Sequence, residues 1–269
     1  FILTKMAEEG CPFKEALAVA QELGIAEKNP ELDISGKDSA HKLAILSMLA
    51  FGRVVSPEDV YTEGISNISP LDISCVAKWG YSVKLLAIAK STSSGMQLRV
   101  HPTLLSSSHL LANVRGADNA IFIKGDLIGE SLLYGKGAGS KPTASSVVGD
   151  VVDIARDIAF CEGKSKPPYN IIYDKSKKGV SDIEDLTTSY YLRFSVIDKP
   201  GVLAGIASEL AEHGISIASV SQEERKEGQT VPVIILTHKA GEGNMRKAIA
   251  KIDTVGYVKG KTVVIRREE

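Results

Sequence analysis

The sequence predicts a two-part α+β protein: a mixed or antiparallel sheet packed on helices, then a smaller ferredoxin-like βαββαβ unit. Three observations carry this. Strand-like runs at 83–90, 95–105, 119–126 and 129–135 follow one another with no helix between them. That order suits antiparallel pairing and argues against a doubly wound sheet. Helical apolar periodicity surrounds them at 11–24, 37–52, 69–79 and 143–161. The C-terminal unit reads strand (190–198), helix (200–214), strand (215–224), strand (230–239), helix (243–255), strand (257–268).

Composition places these elements in an ordinary globular protein of 269 residues, 43% hydrophobic and 24% charged. A net charge of -1 gives no basis for a nucleic-acid or membrane-surface binder. No apolar run approaches the ~20 residues that span a bilayer. Cys11, Cys75 and Cys161 are too dispersed for a metal-ligand spacing or a disulfide framework, which fits a reducing cytoplasm and predicts no metal. His101 and His109 flank a Ser-rich stretch and are expected on the surface or in a loop. The chain opens at Phe1 inside a helical pattern, FILTKMAEEG, and shows no signal peptide. It is therefore expected to be a fragment lacking an N-terminal part.

The first part is assigned to 1–161. NAIFIKGDLIGESLLYG alternates well and is expected to form a hairpin turning at Gly125 and Asp126. Residues 162–188 are rich in Lys, Ser, Pro and Gly and read as a linker, with one strand-like run at 169–173. The second part is 189–269. Its first helix has Pro200 near the first turn and Gly214 beyond the end, the usual asymmetry.

Chemistry concentrates between residues 27 and 42, EKNPELDISGKDSAHK. Glu27 and Asp33 lie in a Pro- and Gly-punctuated loop. Asp38 and Lys42 lie on the first turns of a helix, four residues apart and so on one face. That face leads into Leu43, Ile45, Leu46 and Leu49, all expected to be buried. Carboxylates at the mouth of an apolar helix suit an amino-acid ammonium group, and a neighbouring lysine can hand a proton to an oxygen. A plainer reading, a helix with an acidic start and one weak i,i+4 ion pair, fits the same residues.

The turn YGKGAGSKPT at 134–143 has two decoy readings. Counted as a Walker loop, Ser140 stands where glycine is needed and Pro142 where a hydroxyl is needed. Its glycine spacing also fails the dinucleotide fingerprint. A strand-to-helix turn with positive φ at Gly137 or Gly139 explains the glycines structurally.

Four blocks resemble the homoserine dehydrogenase family: residues 1–52, VYTEGISNISPLDISCVAKWGYSVKLLAIAK, VHPTLLSSSHLLANVRGADNAIFIKGD and YGKGAGSKPTASSVVGDVVDIAR. The resemblance runs almost unbroken from Phe1 to Arg156. It implies that Glu27, Asp33 and Asp38 bind the amino group of homoserine or aspartate semialdehyde, with Lys42 at the reacting oxygen. It implies that the turn carrying Gly137 and Gly139 approaches the nicotinamide of NAD(P)H. Asn29 departs from the family, which usually has Asp before this Pro. The family's dinucleotide loop has no counterpart in the chain, so this chain alone is expected to hold no cofactor and to be inactive. DKPGVLAGIASELAEHGISIASV, residues 198–220, resembles the ACT regulatory domain. That implies an effector, threonine in this family, at the turn of Asp198, Gly201, Val202 and Leu203, and a homodimer or higher oligomer. A non-catalytic amino-acid-sensing and assembly module is the alternative.

Overall fold

A computed structural model describes residues 1–93, 95–160, 179–222 and 228–268. Cys161, the strand-like run at 169–173 and most of the expected linker lie outside the described residues.

The first part begins with α1 (Ile2–Glu9), α2 (Phe13–Glu22), the single turn α3 (Glu31–Ile34) and α4 (Lys37–Phe51). The two-residue strand β1 (Tyr61–Thr62) precedes α5 (Pro70–Lys78), which starts with a Ser69/Asp72 capping box. Two long strands follow, β2 (Tyr81–Thr92) and β3 (Gly95–Ser106), antiparallel along their whole length. β4 (Asp118–Gly125) and β5 (Gly129–Lys136) form the expected hairpin, and α6 (Ser140–Phe160) follows. This hairpin does not extend the main sheet but is a separate two-stranded sheet.

In the second part, β6 (Thr187–Thr188) pairs with β10 (Ala240–Gly241). The expected order then appears as β7 (Tyr190–Ile197), α7 (Val202–Glu212), β8 (Ile217–Ser221), β9 (Thr230–Thr237), α8 (Glu242–Ile252) and β11 (Val263–Arg267). Pro200 stands before the helix, not in its first turn, because Gly201 occupies the N-cap at φ 89°. β11 pairs antiparallel with β7 and parallel with β3. One seven-stranded mixed sheet therefore runs through both parts.

Period-two alternation along β7 shows how that sheet is covered. Tyr190, Leu192, Phe194 and Val196 face α7 and α8, packing with Ile206, Leu210, Met245 and Ile252. Tyr191, between them, joins Ile234 and Ile265 against the first part, with Met6, Ala16 and Val76. A third cluster sets Ala40, Leu43 and Ala44 of α4 on Leu98 and Val100.

Two expectations fail here. Leu43 is buried, but Ile45, Leu46 and Leu49 are exposed. The buried stripe is Ala40, Leu43, Ala44 and Ser47, with Met48 and Phe51 partly buried beside it, so the helix has one covered face. His101 is not a surface residue: it is 1% exposed in β3, where its Nδ1 lies 3.0 Å from the Pro102 carbonyl. Burial first, and the Arg266 charge second, lower its pKa to about 4. The folded value thus lies below the ordinary unfolded value of about 6.5, so the folded state binds fewer protons. This contribution is complete above about pH 6.5 and is lost as pH falls toward about 4, on the order of 3 kcal/mol in all. His101→Gln should flatten the pH dependence of urea midpoints across that window. A slope identical to wild type would refute the assignment.

Candidate active site

The loop between α2 and α4 is tied down at several points. The backbone N–H groups of Ile25 and Ala26 both donate to the Ala20 carbonyl, at 2.9 and 3.0 Å. The Gln21 side chain donates to the carbonyls of Glu27 and Lys28. Gly36, at φ 84°, is the N-cap of α4. A Cβ at Gly36 would lie 3.0 Å from Val100 Cγ1 and 3.2 Å from the Glu63 carbonyl. A Cβ at Gly64 would lie 2.3 Å from the Ile34 carbonyl. The acidic loop is therefore seated directly on residues 62–65, and only glycines permit that approach.

This seating brings Asp33 and Asp38 to one cleft of about 360 Å³, with apolar walls from Leu3, Ala26, Ile65, Leu86 and Leu111. Lys42 Nζ donates to Asp38 Oδ2 at 2.6 Å, and both side chains are well exposed. Lys42 itself is not among the cleft-lining residues, and neither is Glu27, which is exposed on the same loop. Also in the lining is Lys84 of β2, whose Nζ donates to the Val114 carbonyl at 2.5 Å. Burial, and then the charge of Arg115, lowers its pKa. Sequence reasoning passed over Lys84; its one signal was a cation inside the apolar run VKLLAIAK.

The far rim is Asp118 and Asn119 of β4. Hydrogen bonds from Lys136 and Tyr134 hold the Asp118 carboxyl below the usual range. Gly137 abuts this rim, since a Cβ there would meet Asn119 Nδ2 at 1.9 Å. Of the two glycines, only Gly139 takes positive φ, at 129°. A Cβ at Gly139 finds nothing nearer than Pro142 Cδ at 3.4 Å. A side chain at Gly137 would therefore displace the exposed Asn119 side chain, whereas a Cβ at Gly139 touches only Pro142.

A second cavity, of about 210 Å³, gathers Asp198, Gly201, Val202 and Leu203 with Val196, Gln222 and Val233. The N-cap of α7 there is Gly201, which has no side chain of its own to cap the helix start.

The junction between the two parts holds a polar network that sequence reasoning did not find. Arg266 of β11 is 3% exposed and forks between two carboxylates. Its Nη1 donates to Glu63 Oε2 and its Nε to Glu242 Oε2, both at 2.8 Å. Tyr190 and Arg246 also donate to Glu242. Burial raises the Glu63 carboxyl, but the hydrogen bond and charge of Arg266 outweigh it and lower the pKa.

The chain was compared with known proteins. A family model described as homoserine dehydrogenase matches residues 1–152, and one described as the ACT domain matches 190–254. Homoserine dehydrogenase from Pseudomonas aeruginosa is 44% identical over 271 residues, covering 100% of this chain and 62% of its own length. The Neisseria gonorrhoeae enzyme is 40% identical with the same coverage. The crystal structure of a homoserine dehydrogenase from Thiobacillus denitrificans superposes with a TM-score of 0.90 at 44% identity, covering 100% of this chain and 61% of that one. The S. aureus enzyme at pH 6.0 gives 0.72 at 30% identity, covering 100% and 62%. The chain thus spans about three-fifths of the length of the curated relatives it matches. With more than half of its residues matched by the first model, the chain belongs to the homoserine dehydrogenase family.

Proposed function

We propose that this chain is the substrate-binding and regulatory part of a cytoplasmic NAD(P)-dependent homoserine dehydrogenase, interconverting L-aspartate 4-semialdehyde and L-homoserine. The observation that carries this is the convergence of Asp33 and Asp38 on one cleft, with Lys42 2.6 Å from Asp38. The two carboxylates hold the substrate ammonium, assisted by Glu27 from the same loop. Asp38 orients Lys42 toward the reacting oxygen. As the aldehyde is reduced, negative charge grows on that oxygen, and the Lys42 ammonium stabilises it and delivers the proton. In the reverse direction neutral Lys42 takes the hydroxyl proton. A nicotinamide cofactor supplies the hydride when bound. The turn at Gly139 is open to its ring, but the 134–143 turn lacks the arrangement that cradles phosphates. We assign the phosphate site to the part of the longer protein that this chain does not include.

The test is homoserine-dependent reduction of NAD(P)⁺ by the longer protein. Folded protein without such activity would overturn this reading and leave the assembly module. No helix of the described residues is long and apolar enough to cross a membrane. The exposed apolar residues of α6, among them Val147, Val151 and Ile154, suit cover by the missing part or by a second copy in a homo-oligomer.

The cavity at 198–203 is assigned to threonine. Its carboxylate would meet the backbone N–H groups at the start of α7, where the N-cap is Gly201. At one hundred times its dissociation constant, threonine should stabilise the folded protein by about 2.7 kcal/mol. Thermal-shift titration reads this directly, and Gly201→Asn should abolish it by filling the cavity while tolerating positive φ. No shift at millimolar threonine would remove the effector assignment.

A further inference from the structure

The acidic loop rests on a strip of chain that the C-terminal strand holds in place. Glu63 follows β1, and its backbone N–H donates to the Val100 carbonyl at 2.7 Å. The next residue, Gly64, lies against the Ile34 and Ser35 backbone so closely that a methyl group would overlap it. Ile65 then donates its N–H to the Ile34 carbonyl at 2.9 Å. Ile34 adjoins Asp33, and Gly36, seated on the Glu63 carbonyl, opens the helix that carries Asp38 and Lys42. The Glu63 side chain is fixed by Arg266, at 2.8 Å from Nη1 and 3.1 Å from Nη2. Arg266 is fixed in turn by Glu242 at the start of α8. The Tyr61 ring lies under the guanidinium groups of Arg246 and Arg266, at 4.9 and 5.3 Å. From Arg266 to Ile34 the links are a forked ion pair, backbone hydrogen bonds and backbone contact with glycine, which leave little slack.

We propose that Arg266 is a positioning residue for the substrate site, acting through Glu63 and the Gly64–Ile34 contact to set where Asp33 and Asp38 stand. The C-terminal module thereby contributes to substrate affinity even without an effector. This rests on the homoserine reading above.

The test uses the longer enzyme, with KM for homoserine and for NAD(P)⁺ measured separately alongside thermal unfolding. Arg266→Met removes the cation shared by Glu63 and the buried Glu242 and risks misfolding, so Glu63→Gln, which keeps the hydrogen-bond acceptor, is the parallel variant. Arg266→Met should raise the homoserine KM roughly 10- to 100-fold with the NAD(P)⁺ KM unchanged, the scale of a small misplacement of binding groups. Glu63→Gln should give a smaller rise in the same constant, and Arg266→Lys should recover part of the loss. Unchanged homoserine KM in folded Arg266→Met or Glu63→Gln enzyme overturns the proposal. So does a fall in kcat that follows the folded fraction with both KM values intact. A wild-type enzyme inactive on homoserine fails at the functional reading, before any variant is compared.

Discussion

Lys42→Ala in the longer enzyme should lower kcat by about 10²-fold or more, the usual loss for a positioned acid or base. The lysine is a surface side chain, 68% exposed, so the loss should appear without a matching fall in stability. Lys42→Arg separates charge from proton transfer. Arginine keeps a cation near the developing oxyanion but does not give up its proton, so turnover should remain low. Asp38→Ala should also lower kcat, because Asp38 accepts a hydrogen bond from Lys42 Nζ at 2.6 Å. Since the two act as a unit, the double variant should be little worse than Lys42→Ala alone. Steady-state kinetics with homoserine, run beside thermal unfolding of each variant, decides the matter. Wild-type turnover in folded Lys42→Ala would show that the proton travels by another group.

Much of this arrangement was legible in the sequence because it is local. Element type followed from periodicity, and the βαββαβ order of the second part was readable from 190 onward. The pairing of Asp38 with Lys42 follows from helical spacing alone. What could not be read depends on distant partners. The parallel pairing of β11 with β3, which joins Arg266 to Thr103, links segments that no local pattern connects. α4 is apolar around much of its circumference, and the sequence gives no sign of which stripe the sheet takes. The structure buries Ala40, Leu43, Ala44 and Ser47 and leaves Ile45, Leu46 and Leu49 outside. His101 sits next to a Ser-rich loop in sequence but inside the sheet in space. Asp72, Arg99, Glu242 and Arg266 are ordinary charged residues by composition. Their burial becomes visible only when the two parts meet. The cleft is intermediate: Asp33 and Asp38 were singled out through the family resemblance of their loop and helix, whereas Lys84 arrives from a strand far along the chain.

The largest stability effect is expected at one of those junction residues. Asp72, in the first turn of α5, is fully buried, and its partners come from both parts of the chain. Arg193 of β7 donates from Nε at 2.6 Å and from Nη2 at 3.2 Å. Tyr191 donates its hydroxyl at 2.8 Å. The Ser69 N–H and hydroxyl donate at 2.8 and 2.6 Å, completing the cap of α5. Burial works against the Arg193 charge, and the Asp72 hydrogen bond and charge outweigh it, raising its pKa. Asp72→Ala leaves a largely buried guanidinium and a buried phenol without their acceptor and removes half of the capping box. Such one-sided removal destabilises by about 3–5 kcal/mol. Asp72→Asn keeps the shape and part of the hydrogen bonding and should lose less. Replacing both partners, Asp72→Leu with Arg193→Met, should recover much of the loss, because no charge is then stranded. Urea unfolding of the three variants against wild type measures the sequence. Asp72→Ala within about 1 kcal/mol of wild type, the net value of an ordinary hydrogen bond, would show that this buried pair does not hold the two parts together.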